Sequence, residues 1–333
     1  MQGYAKMKLI TTEQCTSFKN FIASHDFFLI AGHKEPDGDC VSSCIAMASI
    51  IEHFGKPYQL LSAGPFKRPE IKKYASKFSS ELAFMTQDER DRTGLLILDC
   101  SELSRLGDID GDLKGFDTFI VDHHKTADTN TSNAIIDPSA PAACCLVQQL
   151  YENIIGKATD KIAKQLFFGL STDTGHFRFL TEDSAETFKS AARLVEGGAS
   201  PRKIYDEMSG GKPFSTRKLL GIMLNRVERY YNNKLCVTYE TMEDTKKYGA
   251  EGRDSDALYT LLLAVEGVEA VLFVRQETDN SCTAGFRSRD SVDVSAIAAK
   301  FGGGGHKNAA GLSIEGKLDT VIPQILKEFA KVL

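Results

Sequence analysis

Between about residues 27 and 200 the chain alternates short continuous apolar runs with apolar residues at helical spacing. DFFLIAGH (26–33) is an unbroken apolar run closing on Gly32, and it predicts a strand buried on both faces. CVSSCIAMASIIEHFG (40–55) carries apolar residues at helical spacing and stops at Gly55. PYQLLSAG (57–64), GLLILDCS (94–101) and DTFIVDHH (117–124) predict further strands, and 140–155 and 160–171 predict helices. Strands alternating with helices give an α/β fold: a mostly parallel sheet with helices on both faces. Ligands of such sheets gather at the carboxyl ends of the strands.

EMSGGKPFS (207–215) interrupts the pattern with Gly and Pro. The expected organisation is a first domain over 1–206, a linker with a connecting helix over 207–231, and a smaller α/β domain over 232–333. In that second domain KLCVTYE, VEAVLFVRQE, SCTAGFRS and AAGLSIEG predict strands. ALYTLLLAVEG, VSAIAAKF and LDTVIPQILKEFAKV predict helices, with GGGGH (302–306) as a loop after the second of them.

Hydrophobic residues make up 42% of the 333, enough for two cores. The longest apolar runs are too short to span a bilayer, and the start MQGYAKMKLITTEQ lacks the apolar segment of a secretory signal. The expectation is a cytoplasmic protein with no membrane partner. None of the eight cysteines forms a CxxC pair, which argues against a zinc knuckle and for buried reduced thiols. Cys40 and Cys44, one helical turn apart, fit core packing. The net charge of −5 and the lack of a long Lys/Arg run argue against a partner such as long duplex nucleic acid.

Acidic and histidine residues collect at the predicted strand and helix ends: His33, Asp37 and Asp39 in HKEPDGD; Asp99 after LLIL; Asp122, His123 and His124 after FIV; Asp173 in STDTGHF. Singly, each reads as a cap or turn residue. Jointly they land on one edge of one sheet, which capping does not require and cation binding does. Carboxylates and imidazoles without cysteine suit Mn²⁺, Mg²⁺ or Fe²⁺. Crowded carboxylates need cations between them, and a shared one can hold two. Four consecutive glycines carry a large ordering cost, which points to close approach of backbone to a ligand. No GxxxxGK[ST] is present, so the loop is not a P-loop. Phe177 or Phe179 could stack on a base, although a core aromatic is the favoured reading, and His25 and His53 read as ordinary surface or helix residues.

In that order HKEPDGD, LLILD, VDHHK and STDTG resemble the four motifs of the DHH phosphoesterase superfamily. GFRSRDSVDVSAIAAKFGGGGHKNAAG (285–311) resembles the DHH-associated substrate-binding domain. Together they cover nearly the whole chain, with the oligoribonuclease and pAp phosphatase group (NrnA-like; pAp is adenosine 3′,5′-bisphosphate) as the nearest pattern. The resemblance implies two divalent metal ions, Mn²⁺ first, with Mg²⁺, Co²⁺ or Fe²⁺ as alternatives. His33, Asp37 and Asp99 would bind one ion; Asp39, Asp99, His123 and Asp173 the other. His124 would face the substrate, and Asp122 would support the histidines. Arg287, Ser288 and His306, with the amides of Gly303, Gly304 and Gly305, would grip phosphate.

The implied activity is hydrolysis of short oligonucleotides (nano-RNA, pGpG, pApA) to mononucleotides, of pAp to AMP, or both. The resemblance also allows a homodimer. A manganese pyrophosphatase shares the first motifs but not GGGGH, and a non-catalytic nucleotide sensor would be expected to have lost motif residues. After IIDPSA the chain departs from the family: Ala142, Ala143, Cys144 and Cys145 stand where Ser and Thr are common, which bears on the cap of the next helix.

Overall fold

The apolar runs of the first half become strands buried on both faces, as parallel strands must be. The computed structural model describes residues 7–124, 133–249, 253–289 and 291–333. Lys125, the last residue of VDHHK, lies outside the described residues. Strands β1 (Phe27–Gly32), β2 (Tyr58–Leu61), β3 (Thr93–Leu98), β4 (Asp117–Asp122) and β5 (Ala134–Ile136) form one sheet in the order β2-β1-β3-β4-β5. Every pairing in it is parallel. Successive connections leave β1 in opposite directions, so β1 and β3 flank a topological switch point.

Register then fixes where the motifs meet. Gly32 pairs with Leu98, and Leu98 with Val121. The next position on each strand is His33, Asp99 and Asp122, so three distant motifs end in one row at the carboxyl edge.

One sheet face presents Phe28, Ile30, Leu96, Leu98, Phe119 and Val121 to the long helices. Those helices are α1 (Thr12–Ala23), α2 (Gly38–His53), α4 (Ala143–Ile154) and α5 (Asp160–Asp173), with α6 (Ala185–Glu196) and α7 (Pro201–Ser209) outside them. Between β2 and β3 lies the short α3 (Gln87–Asp91). The opposite face, Leu29, Ala31, Leu95, Ile97 and Ile120, packs on Leu106, Ile109 and Phe116. Helical cover on that side is thin, a 3-10 turn at Leu103–Leu106 with loops. His25 is not the surface residue its sequence context suggests. It is 4% exposed, its Nδ1 sits 2.8 Å from the Phe21 carbonyl, and its ring packs on Phe21 and Phe28.

Chain contacts separate residues 1–211 from 212–333. The second unit is a mixed sheet in the order β10-β11-β9-β8-β7-β6. Its strands are β6 (Glu228–Tyr230), β7 (Leu235–Glu240), β8 (Ala270–Thr278), β9 (Ser281–Ser288), β10 (Gly304–His306) and β11 (Ala309–Glu315). Among the described residues only β7 and β8 of this sheet pair in parallel. Helices α11 (Val294–Ala299) and α12 (Leu318–Phe329) cover one face. The other face carries α8 (Phe214–Asn225) and α10 (Ser255–Leu263), while α9 (Met242–Tyr248) follows β7. Leu219, Leu220 and Met223 of α8 pack on Cys236 and Val271, so the connecting helix is part of this unit's core. Among the described residues no helix is long and apolar enough to cross a membrane.

Candidate active site

At the carboxyl edge of the first sheet, Asp99 is the centre. It follows β3 with φ of 59°, and it is 2% exposed. Its Oδ2 lies 3.3 Å from His33 Nε2, and its Oδ1 lies 3.3 Å from His123 Nε2 and 3.8 Å from His124 Nδ1. Among the described residues Oδ1 has no hydrogen-bond partner, although a buried carboxylate oxygen without one is costly.

The histidines are aimed from behind. His33 Nδ1 lies 2.9 Å from the Lys34 carbonyl, and His123 Nδ1 3.1 Å from the Ala140 carbonyl. A carbonyl only accepts, so each Nδ1 carries hydrogen and each Nε2 turns to the carboxylates. His124 is held the other way. Its Nδ1 donates to Asp122 Oδ1 at 2.8 Å, which leaves Nε2 free. The same oxygen accepts the backbone N–H of His123 at 2.7 Å and of His124 at 3.1 Å, so a fully buried Asp122 fixes the whole turn.

Asp37 caps α2, its Oδ1 accepting from the amides of Asp39 and Cys40, and stands 3.9 Å from His33 Nε2. Asp39 lies in the first turn of α2 and is fully buried. Its carboxylate accepts the N–H of Ala143 at 2.6 Å and of Cys144 at 2.9 Å. The Ala142 departure thereby finds its reason. Helix α4 has Ala142 at its cap position with no side-chain acceptor, and Asp39 from another helix does the capping. Asp173 ends α5, its Oδ2 3.6 Å from His123 Nε2. Gln165 of α5 donates to Ser42 of α2 at 2.9 Å, tying those two helices together.

All of the sequence-predicted metal residues thus converge. Ligand atoms of Asp39, His123 and Asp173 lie within 4.8 Å of one another, as do those of Asp99, His123 and His124. A third group is His33, Asp99 and Cys40, a cysteine that sequence reading assigned to packing alone. The available signal was its place one residue after Asp39, on the first turn of α2.

The electrostatics are those of a site built around positive charge. Burial works against a charged His33, yet Asp99 overrides it and pushes the ring up to about 12. His123 is pushed up to about 10 against the same burial penalty, by Asp99, Asp39 and Asp173. Burial would raise Asp99, but His123 and His33 hold it below the usual carboxylate range. Burial, reinforced by neighbouring carboxylates, lifts Asp173 to about 6 and Asp39 well above its ordinary value. Positive charge on the two rings offsets the crowded carboxylates. The orphaned Asp99 oxygen, the two inward Nε2 atoms and the oxygen-rich donor set fit hard or borderline divalent ions.

The second unit offers a groove of about 670 Å³ lined by Tyr259, Arg275, Arg287, Gly303, Gly304 and Gly311, among others. The Arg287 guanidinium lies 4.7 Å over the Tyr259 ring and 3.6 Å from Asp256. Ser288 points inward and donates to the Val292 carbonyl at 2.7 Å, so it braces the loop and has no proton to offer a phosphate. The glycine run is not all loop, since Gly304–His306 forms edge strand β10. Two of its glycines answer to that sheet. A Cβ on Gly303 would stand 2.4 Å from the Gly311 carbonyl, and one on Gly305 2.4 Å from that of Ala309. The Gly303 N–H also donates to the Ala298 carbonyl at 2.9 Å. Gly304 has no such constraint, because a Cβ there meets nothing within 4 Å. His306 is exposed at the end of β10.

Residues 28–170 match the DHH family, N-terminal domain, and residues 232–333 match the DHHA1 domain. The chain belongs to the DHH phosphoesterase family. It is 31% identical over 302 residues to the bifunctional oligoribonuclease and PAP phosphatase NrnA of Thermus thermophilus, covering 90% of this chain and 87% of that protein. It is 23% identical to the NrnA of Bacillus subtilis, covering 88% and 91% of the two chains. Among solved structures, an exopolyphosphatase-related protein of Bacteroides fragilis superposes with a TM-score of 0.80 at 21% identity, over 97% of this chain and 98% of that one.

Proposed function

We propose that this protein hydrolyses phosphoesters of short nucleotides. The substrates are RNA of a few nucleotides, linear dinucleotides such as pGpG and pApA, and pAp, with two divalent cations, Mn²⁺ first. The observation that carries the reading is Asp99, a buried carboxylate with one oxygen unpartnered and both oxygens facing imidazole nitrogens. The relatives named for oligoribonuclease and PAP phosphatase activity supply the substrate class.

In this reading His33, Asp37 and Asp99 hold one cation, and Asp39, Asp99, His123 and Asp173 hold the other. When bound, such ions supply Lewis-acid charge and an acidified water to phosphoryl transfer. The remaining tasks belong to side chains. Asp122 keeps the Nδ1–H of His124 in place, so Nε2 is presented to the phosphate. As the imidazolium, which carries a proton on Nε2 as well, His124 donates to a non-bridging oxygen or hands that proton to the leaving ribose oxygen. Arg287, His306 and the amide of Gly304 bind phosphate in the second unit, and Ser288 and Gly303 shape the loop that carries them.

The test is incubation of metal-stripped protein with Mn²⁺ and, in parallel, pAp, pGpG, a five-nucleotide RNA and pyrophosphate. The expected result is release of AMP or mononucleotides, lost on chelation and in Asp99→Ala. Pyrophosphate as the sole substrate would move the chain to a pyrophosphatase reading. Binding of pGpG or pAp without turnover would make it a sensor.

A further inference from the structure

Beside the carboxylate–histidine cluster lies a pocket of about 390 Å³ that none of the motifs accounts for. His123, His124 and Asp173 form part of its wall, and Leu180, Pro138 and Phe179 another part. Sequence context made Phe177 and Phe179 equal candidates for the core, but their fates differ. Phe177 packs into the first core and stacks on Phe188 with ring centroids 5.6 Å apart. Phe179 is 63% exposed.

Its position is held. Residues 175 to 177 run through three consecutive left-handed conformations, φ 56°, 56° and 70°, two of them in non-glycine residues. Such a turn is costly and persists only where its surroundings enforce it. The Phe179 N–H donates to the Thr174 carbonyl at 3.1 Å, and the Arg178 Nε donates to the Gly175 carbonyl at 2.9 Å. The ring rests against Gly175, where a Cβ would stand 2.4 Å from it, and the Arg178 guanidinium lies 5.5 Å from its centroid. A strained turn directly after Asp173 thus presents a fixed, largely open aromatic surface beside the candidate metal residues.

The lining chooses among the parts of a nucleotide. No Lys or Arg is among the described residues that form it, and Asp183 contributes a carboxylate. Away from His123 and His124 the described lining offers a phosphate no cation. A neutral planar ring needs none, and the volume is in the range of small-ligand pockets, roughly 300–1,000 Å³. We infer that this pocket is a nucleobase subsite, with Phe179 as its stacking platform and Asp183 as an acceptor for exocyclic amino groups. The carboxylate only accepts, so adenine, guanine and cytosine can each give it an exocyclic amino hydrogen, which uracil lacks. The inference rests on the phosphoesterase reading and deepens it by placing the base of the nucleotide next to the scissile phosphate.

The experiment compares a 5′-phosphorylated dinucleotide bearing two adenines with the same compound lacking one base, in wild type and Phe179→Ala. Stacking on an aromatic platform predicts that the ratio of the two kcat/KM values falls about tenfold or more in the variant, mostly through KM. Calorimetric binding of AMP and ribose 5-phosphate to metal-free protein should show the same loss of preference without any turnover. In Asp183→Asn, the preference of pApA over pUpU should shrink. Equal losses on both substrates, together with a lowered Tm, would make Phe179 a structural residue and overturn the inference. So would an unchanged ratio. Wild type that hydrolyses neither compound would instead sink the phosphoesterase reading, a result plainly different from a wild type that turns both over with no base preference.

Discussion

The two candidate binding regions differ in how much of their geometry is set before a ligand arrives. At the carboxyl edge of the first sheet, Asp39, Asp99 and Asp122 are each at most 2% exposed, and His33, His123 and His124 are each braced through Nδ1. The repulsion among these carboxylates is held in check by packing and by protons on the rings. In the groove of the second unit, Arg287 is parked on Tyr259 and on an Asp256 whose side chain is 89% exposed, a pairing worth little in water. The first region is buried and braced by hydrogen bonds from several elements, as a preorganised cation site needs to be. The second has weak contacts that a phosphate can replace at small cost.

The sharpest way to break this contrast is Asp99→Asn. It removes the charge that both His33 and His123 face, so turnover of short RNA should fall on the order of 10³-fold or more, with loss of bound metal by elemental analysis. Activity within tenfold of wild type would mean that Asp99 is not the centre.

Metal loading should also depend steeply on pH. His33 and His123 are protonated across the neutral range in the metal-free protein, with values pushed up to about 12 and about 10. A cation at either Nε2 must displace that proton. Affinity therefore falls as pH falls, by about tenfold per displaced proton per pH unit. Mn²⁺ titrations at three pH values between 6.5 and 8.5 should follow a slope of two protons or more, since Asp39 is also lifted above its ordinary value. A flat profile would mean that the rings are not ligands.

Asp122→Asn sharpens the distinction between holding a cation and orienting a side chain. Its carboxylate touches no candidate cation position directly but fixes His124 and the turn beneath both histidines. A loss of about 10–100-fold, with a displaced pH–rate profile, is expected from such a supporting group. A loss as complete as that of Asp99→Asn would place Asp122 among the ligands.

How much of this was legible beforehand follows from the same physics. The strands of the first sheet were readable because parallel strands buried on both faces leave unbroken apolar runs, and their terminal Asp and His residues mark the edge where ligands gather. The capping of α4 by Asp39 was not readable, because it joins residues more than a hundred positions apart. Only the oddity of Ala142 hinted at it. Helix α1, starting at a capping box on Thr11, leaves a weak periodic signal because its buried face is only Cys15, Phe18, Phe21 and Ile22 in a polar segment. In the glycine run, sequence shows that backbones approach closely but not whether the partner is a ligand or the neighbouring strand.

Arg287→Ala tests the weaker region. Losing one charge-assisted phosphate contact predicts a KM raised about tenfold, with kcat changed less and metal content unchanged. Loss of metal in this variant would join the two regions in a way that the contrast denies.

The smallest effects are expected inside the glycine run, where two neighbours should behave oppositely. Gly303→Ala puts a methyl group 2.4 Å from the Gly311 carbonyl, so β10 must shift away from β11. Overpacking of that kind costs about 1–3 kcal/mol and should lower the Tm of the second unit. Gly304→Ala meets nothing within 4 Å, so Tm should hold. Its methyl group would instead narrow the space a phosphate uses to approach the backbone, and a few-fold rise in KM at constant Tm is the expected signature. If Gly304→Ala leaves KM untouched while Gly303→Ala still unfolds the edge, the glycines serve the sheet alone, and phosphate binding in this unit falls to Arg287 and His306.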